Sequence, residues 1–119
     1  MPPIDLATVT FSIDDGRLVV RATARGTGRP YRHTCPLESF ETVAHELDAA
    51  GSQGLTRVDL HERTGIPWTR INVAVLFLYE RSIIDRTGRR GRLYVPASAT
   101  VFEDAMTEYY ALREGDQDA

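Results

Sequence analysis

The chain has 119 residues, 42% apolar and 26% charged, a composition that fits one globular domain and excludes a disordered or fibrous chain. No apolar stretch approaches the roughly 18 residues a membrane span needs. The N-terminal Met1-Pro2-Pro3-Ile4-Asp5 lacks the basic and apolar regions of a signal peptide, and the single Cys35 cannot form an internal disulfide, so a cytoplasmic protein is expected.

In chain order, Val9, Phe11 and Ile13 alternate with Thr8, Thr10 and Ser12, then Leu18, Val20, Ala22 and Ala24 alternate with Val19, Arg21, Thr23 and Arg25. Period-2 patterns on either side of Asp14-Asp15-Gly16-Arg17 predict a β-hairpin, since Asp and Gly tolerate the positive φ of a tight turn. A loop from Gly26 to Pro30 follows, with a short third strand at Tyr31–Thr34. Pro36 opens a helix with Phe40, Val43, Ala44 and Leu47 on one stripe, and Gly51 and Gly54 stop it. Thr56 is a helix cap, and Leu55 before it can close on Leu60 as a hydrophobic staple. That second helix runs to Thr64 and ends at Gly65, after which Pro67 starts a third helix that continues to about Arg81. Ile83–Arg86 and Arg92–Val95 read as two short strands around the turn Thr87–Gly91, and Pro96 breaks their pairing. Thr100 with Glu103 repeats a capping pattern before a last amphipathic helix carrying Phe102, Ala105, Met106, Tyr109 and Leu112.

All fourteen basic residues are arginine, and the net charge of −3 hides a segregation. Residues 57–96 carry eight Arg against four acids, whereas residues 97–119 carry one Arg against six. A basic middle in an acidic chain suggests a surface that faces an anion.

Helix, short turn with Gly, helix, then an arginine-rich hairpin is the order of a winged helix. The stretch Leu60-His61-Glu62-Arg63-Thr64-Gly65-Ile66-Pro67-Trp68-Thr69-Arg70-Ile71 resembles the helix-turn-helix of MarR-like bacterial regulators. The likeness continues through Leu78–Arg86 into the hairpin and covers about half the chain, with Ser82 standing where such families usually have Gly. The resemblance implies a winged helix-turn-helix over 36–96; with the elements read from the residue patterns, the expected fold is α+β in one domain, 1–119, with an N-terminal β-meander over 1–35, a C-terminal amphipathic helix over 97–114 and a frayed tail over 115–119. The resemblance also implies double-stranded DNA binding by a small transcriptional regulator. The third helix then lies in the major groove and the hairpin, the wing, touches the backbone. Carried over by position, Trp68, Thr69, Asn72, Val73 and Leu76 face the groove, with Asn72 able to bond adenine bidentately. Arg86, Arg89, Arg90 and Arg92 of the wing meet phosphates, joined by Arg57 and Arg70 near helix N-termini that favour anions.

One feature opposes that reading. From Ile71 to Tyr79 the third helix is apolar nearly all round, and such a helix is buried on more than one side. Its cover is the meander, the C-terminal helix or a second subunit. A cover over Trp68, Asn72 and Leu76 closes the groove face and favours the alternative function, a winged-helix protein-interaction module without nucleic-acid binding. A cover over Phe77 and Tyr79 alone leaves the groove face open. Phe102, Met106, Tyr109 and Tyr110 exceed what one face of a terminal helix needs, so a homodimer through that helix is expected.

No enzyme is expected. His33, His45 and His61 do not cluster, His33 and Cys35 lack a second pair at zinc-binding spacing, and Gly26-Thr27-Gly28 lacks the remainder of a phosphate-binding loop. No metal or cofactor is assigned. A sensor role for Cys35 is a further alternative, and a half-buried structural role is the simpler one.

Overall fold

The computed structural model describes residues 6–118. The alternating N-terminal segment folds as three antiparallel strands, β1 (Leu6–Asp14), β2 (Arg17–Ala24) and β3 (Pro30–Pro36), in the order β1-β2-β3. The turn between β1 and β2 takes positive φ at both central residues, 52° at Asp15 and 74° at Gly16, as the sequence predicts. Pairing of Phe11 with Val20, Ile13 with Leu18, Leu18 with Cys35 and Val20 with His33 gathers the apolar side chains on one face. The third strand is longer than the predicted Tyr31–Thr34 and runs directly into α1 (Leu37–Ala50).

Helix α2 (Arg57–Thr64) begins in a capping box. The Asp59 amide donates to Thr56 Oγ1 at 3.0 Å, and the Thr56 amide donates to Asp59 Oδ2 at 2.9 Å. It ends at Gly65 in the left-handed conformation. Helix α3 (Trp68–Glu80) starts after Pro67, and its C-terminus closes with Ile83 N donating to Leu78 O at 2.9 Å and Ser82 N to Tyr79 O at 3.0 Å. Ser82, where the resembling family usually has Gly, adopts φ 61°, so the conformation that favours glycine is kept without it. Strands β4 (Ile84–Thr87) and β5 (Leu93–Pro96) pair as a hairpin, and α4 (Val101–Asp118) completes the chain. Among the described residues no helix is long and apolar enough to cross a membrane.

The three-stranded sheet is what covers the third helix. Strands β2 and β3 pack on α3, while α1 and α2 take its other sides and β4 touches it as well. Phe77, fully buried on α3, meets Phe11 of β1 edge-to-face at 5.2 Å and Phe40 of α1 at 5.7 Å, so sheet and helices share one core. Helix α4 lies on α1 and β1, with Tyr109 buried against Phe40 and its hydroxyl donating to Gly16 O at 2.7 Å. Phe102 stacks on His45 at 3.7 Å and Met106 packs on the core, so of the four side chains that suggest a dimer only Tyr110 stays exposed. The start of α4 also differs from its predicted capping pattern. Instead of a Thr100–Glu103 box, Asp48 of α1 accepts the Phe102 amide at 2.9 Å, and Ser98 donates to the Asp104 carboxylate.

Gly54 fixes how the hairpin meets the helices. At φ 70° a Cβ there would lie 2.6 Å from Tyr94 O and 2.7 Å from Val95 Cγ1. Gly54→Ala combines left-handed backbone strain with overpacking against main chain, and an expected loss of roughly 2–4 kcal/mol follows. Urea unfolding of the variant measures it.

Candidate functional site

The site is built on a short bridge. Leu55, just before α2, exchanges both backbone hydrogen bonds with Tyr94 of β5, each at 2.9 Å, which pins the hairpin beside the N-terminus of α2. Arg57, the first residue of α2, consequently holds its guanidinium 5.5 Å from the Tyr94 ring centre. Beyond β4 the chain passes Gly88 at φ 73° and a 3-10 turn, Arg89–Gly91, in which Arg90 takes φ 62°. That turn carries Arg89 and Arg90 on the exposed tip, while Arg86 and Arg92 flank it.

Between hairpin and helices lies a recess of about 270 Å3 lined by Thr56, Arg57, Val58, Trp68, Arg86, Arg90, Gly91, Arg92 and Tyr94. Four guanidinium groups line it and no carboxylate does. Trp68, the first residue of α3, stacks on His61 at 4.2 Å, and His61 Nδ1–H donates to Ile66 O at 2.8 Å, which fixes the ring beneath the indole. Arg86 rests over the ring of Tyr79 at 4.7 Å.

None of Arg57, Arg86, Arg89, Arg90 and Arg92 forms an ion pair with a carboxylate of the described residues. Among the described residues no acid of α4 pairs with a hairpin arginine: Glu108 pairs with Arg81 and Glu114 with Arg113. Five arginines without a carboxylate partner leave a net positive field whose natural counter-charge is an external anion. The α2 N-terminus adds little to it, because Asp59 already occupies the position an anion would take.

The structure gathers Arg57, Trp68, Arg86, Arg90 and Arg92 around the recess, with Arg89 at the adjacent tip and Thr69 exposed next to Trp68. Three of the sequence assignments fall elsewhere. Arg70 is half-buried and close enough to Cys35 to oppose the rise of its thiol pKa, which places it on the sheet side of α3. Asn72 is 3% exposed, and Val73 beside it is fully buried, because sheet, helices and hairpin together enclose the middle of α3. The expectation that Asn72 and Val73 face a groove is therefore corrected: neither can reach a base edge in this structure. Leu76 and Trp68 remain half-buried, and Tyr79 is 40% exposed. Tyr94 and Val58, which line the recess, are absent from the sequence assignment, since only the Leu55–Tyr94 bridge brings them there.

Burial pushes the Cys35 thiol up to about 12, so the side chain is a neutral core group and not a reactive one. Among the described residues no group of three His, Cys, Asp or Glu side chains is placed to hold a metal ion. No known protein family, curated protein or solved structure significantly matches this chain. The recess and its arginines are thus read on their own chemistry.

Proposed function

We propose that helices α1–α3 and the β4–β5 hairpin form a winged helix that binds double-stranded DNA through its phosphate backbone, in the service of transcriptional regulation. One observation carries the reading: arginines from the hairpin and from the start of α2 converge on a single patch with no carboxylate partner. Arginine's forked donors suit phosphate oxygens, and four of them stand within seven positions of one hairpin. Burial of Asn72 removes base readout from the middle of α3 and leaves Thr69 and Trp68 at its N-terminal end. Contacts to phosphate position a protein and do not specify a sequence. Weak sequence preference is therefore part of the proposal.

The interaction-module alternative gains from a cover that closes Trp68, Asn72 and Leu76; here Asn72 is buried but Trp68 and Leu76 stay half-buried, so the groove face is closed only in its middle. Among the described residues the large apolar side chains left exposed are Val58, Tyr79 and Tyr110, one on each of three helices, and they do not make an interface-sized patch. A dimer through α4 likewise has only Tyr110 as an exposed anchor, against the roughly 800 Å2 per partner that a stable interface buries. The binding reading is accordingly built on one chain.

Two variants test the division of labour. Arg89→Ala with Arg90→Ala is expected to weaken every duplex by a similar factor, about five-fold per lost contact near 0.15 M salt. Arg90 already carries a Cβ at φ 62°, so alanine adds no backbone strain there. Asn72→Ala is expected to leave the relative affinities for different duplexes unchanged, whatever it does to stability. Anisotropy titrations against three unrelated duplexes read both; a change of preference at one base pair on Asn72→Ala would restore the groove contact that burial rules out here.

A further inference from the structure

The recess has a chemistry that a backbone phosphate alone does not require. Its four arginines answer negative charge, but Trp68, Tyr94 and the 47%-exposed Val58 line the same space and answer an apolar ring. Its 270 Å3 is the liquid-volume share of about nine waters, well beyond one tetrahedral anion. Arg57 Nε is buried and has no hydrogen-bond partner among the described residues. Arg89, exposed at the hairpin tip outside the recess, is better placed for the convex backbone of a duplex.

We infer that the recess takes one 5′-phosphorylated nucleoside out of a base stack, the phosphate among Arg57, Arg86, Arg90 and Arg92 and the base against Trp68 and Val58. A stacked duplex turns its phosphates outward and keeps its bases inside, so only a free or unstacked nucleotide brings both chemistries into one small volume. Two sources share that chemistry, a free nucleotide and the end or overhang of a DNA strand. The inference rests on the reading of the patch as a phosphate surface and adds the ring to it.

Trp68 is the only tryptophan in the chain, so its emission reports occupancy of the recess. Titration of the whole protein with deoxyadenosine 5′-monophosphate, excited where the base barely absorbs, is expected to change that emission saturably. Deoxyadenosine and inorganic phosphate should each bind at least about tenfold more weakly, and Arg86→Ala with Arg92→Ala should weaken the nucleotide by about tenfold or more. If that pair disturbs folding in a thermal melt, Arg92→Ala alone, on an exposed position, carries the comparison with a loss of about five-fold. A 5′-phosphorylated duplex with a single-nucleotide overhang, set against the same duplex blunt, separates the sources. Tighter binding of the overhang than of both blunt duplex and nucleotide assigns the strand end, and no gain from the overhang assigns the free nucleotide. Inorganic phosphate matching the nucleotide overturns the inference, as does Trp68 emission indifferent to both nucleotide and overhang. Duplex binding with Trp68 silent to nucleotide and overhang alike overturns the inference and leaves the DNA reading standing. Nucleotide binding with no duplex binding does the reverse.

Discussion

Phe77→Ala is expected to lower the unfolding free energy by about 3–5 kcal/mol. Phe77 is fully buried and touches Phe11 of the sheet and Phe40 of α1, with the Arg81 guanidinium 4.9 Å from its ring centre. Truncation removes the contact that joins the sheet to the helices and opens a cavity that stiff neighbours cannot fill. Domains of this size are stable by only about 5–15 kcal/mol, so the loss is a large share of the total. Phe77→Leu keeps most of the volume and should cost less than half as much. Equilibrium urea unfolding, with the slope checked for a change in cooperativity, measures both. A loss below about 1 kcal/mol for Phe77→Ala would mean that the sheet does not seat on α3 as described.

Replacing Arg86, Arg89, Arg90 and Arg92 together by alanine is expected to weaken duplex binding by about three orders of magnitude near 0.15 M salt. Each phosphate contact releases about 0.9 of a counterion, which at that concentration is worth about 0.7 of a logarithmic unit in affinity, and four contacts multiply. The four side chains are exposed and lack carboxylate partners, so the folded state loses little with them. Arg86 gives up its place over Tyr79, an exposed cation–π contact of roughly 0.5–1 kcal/mol. The melting temperature should consequently fall by only a few degrees while binding collapses. A competition titration against wild type reads the ratio, and a loss of less than about tenfold would place the DNA surface somewhere other than the hairpin.

What could be read from the sequence was what is decided locally. The turn at Asp15-Gly16, the Thr56 cap, the stop at Gly65 and the start after Pro67 each depend on a few adjacent residues, and each is found where the residue chemistry puts it. The need for a cover over Ile71–Tyr79 was also legible, since Val73 and Phe77 had no reason to be apolar on an exposed face. Which element supplies the cover was not, because sheet, terminal helix and second subunit all present apolar faces to such a helix. The same limit explains Asn72: a helical wheel places it beside Trp68 and Leu76, and only the packed structure shows the middle of that stripe closed.

Long-range backbone contacts account for most of the remainder. Asp48 accepts from Phe102 across 54 positions, so the local Thr100 pattern was a sound motif displaced by a distant acceptor. The pairing of Leu55 with Tyr94 brings Arg57 beside the hairpin arginines and creates a recess that no local pattern encodes. The hairpin arginines themselves were legible, because four within seven positions on a predicted turn have no packing role to play.

Wild-type affinity for a mixed-sequence duplex, measured by anisotropy across roughly 50 to 200 mM NaCl, tests the proposed function most directly. Five arginines on one patch, without a carboxylate partner among the described residues, predict a plot of log affinity against log salt that is linear, with a slope between about −3 and −5. No measurable binding at the lowest salt, or binding whose slope lies near zero, would contradict a DNA surface built from Arg57, Arg86, Arg89, Arg90 and Arg92.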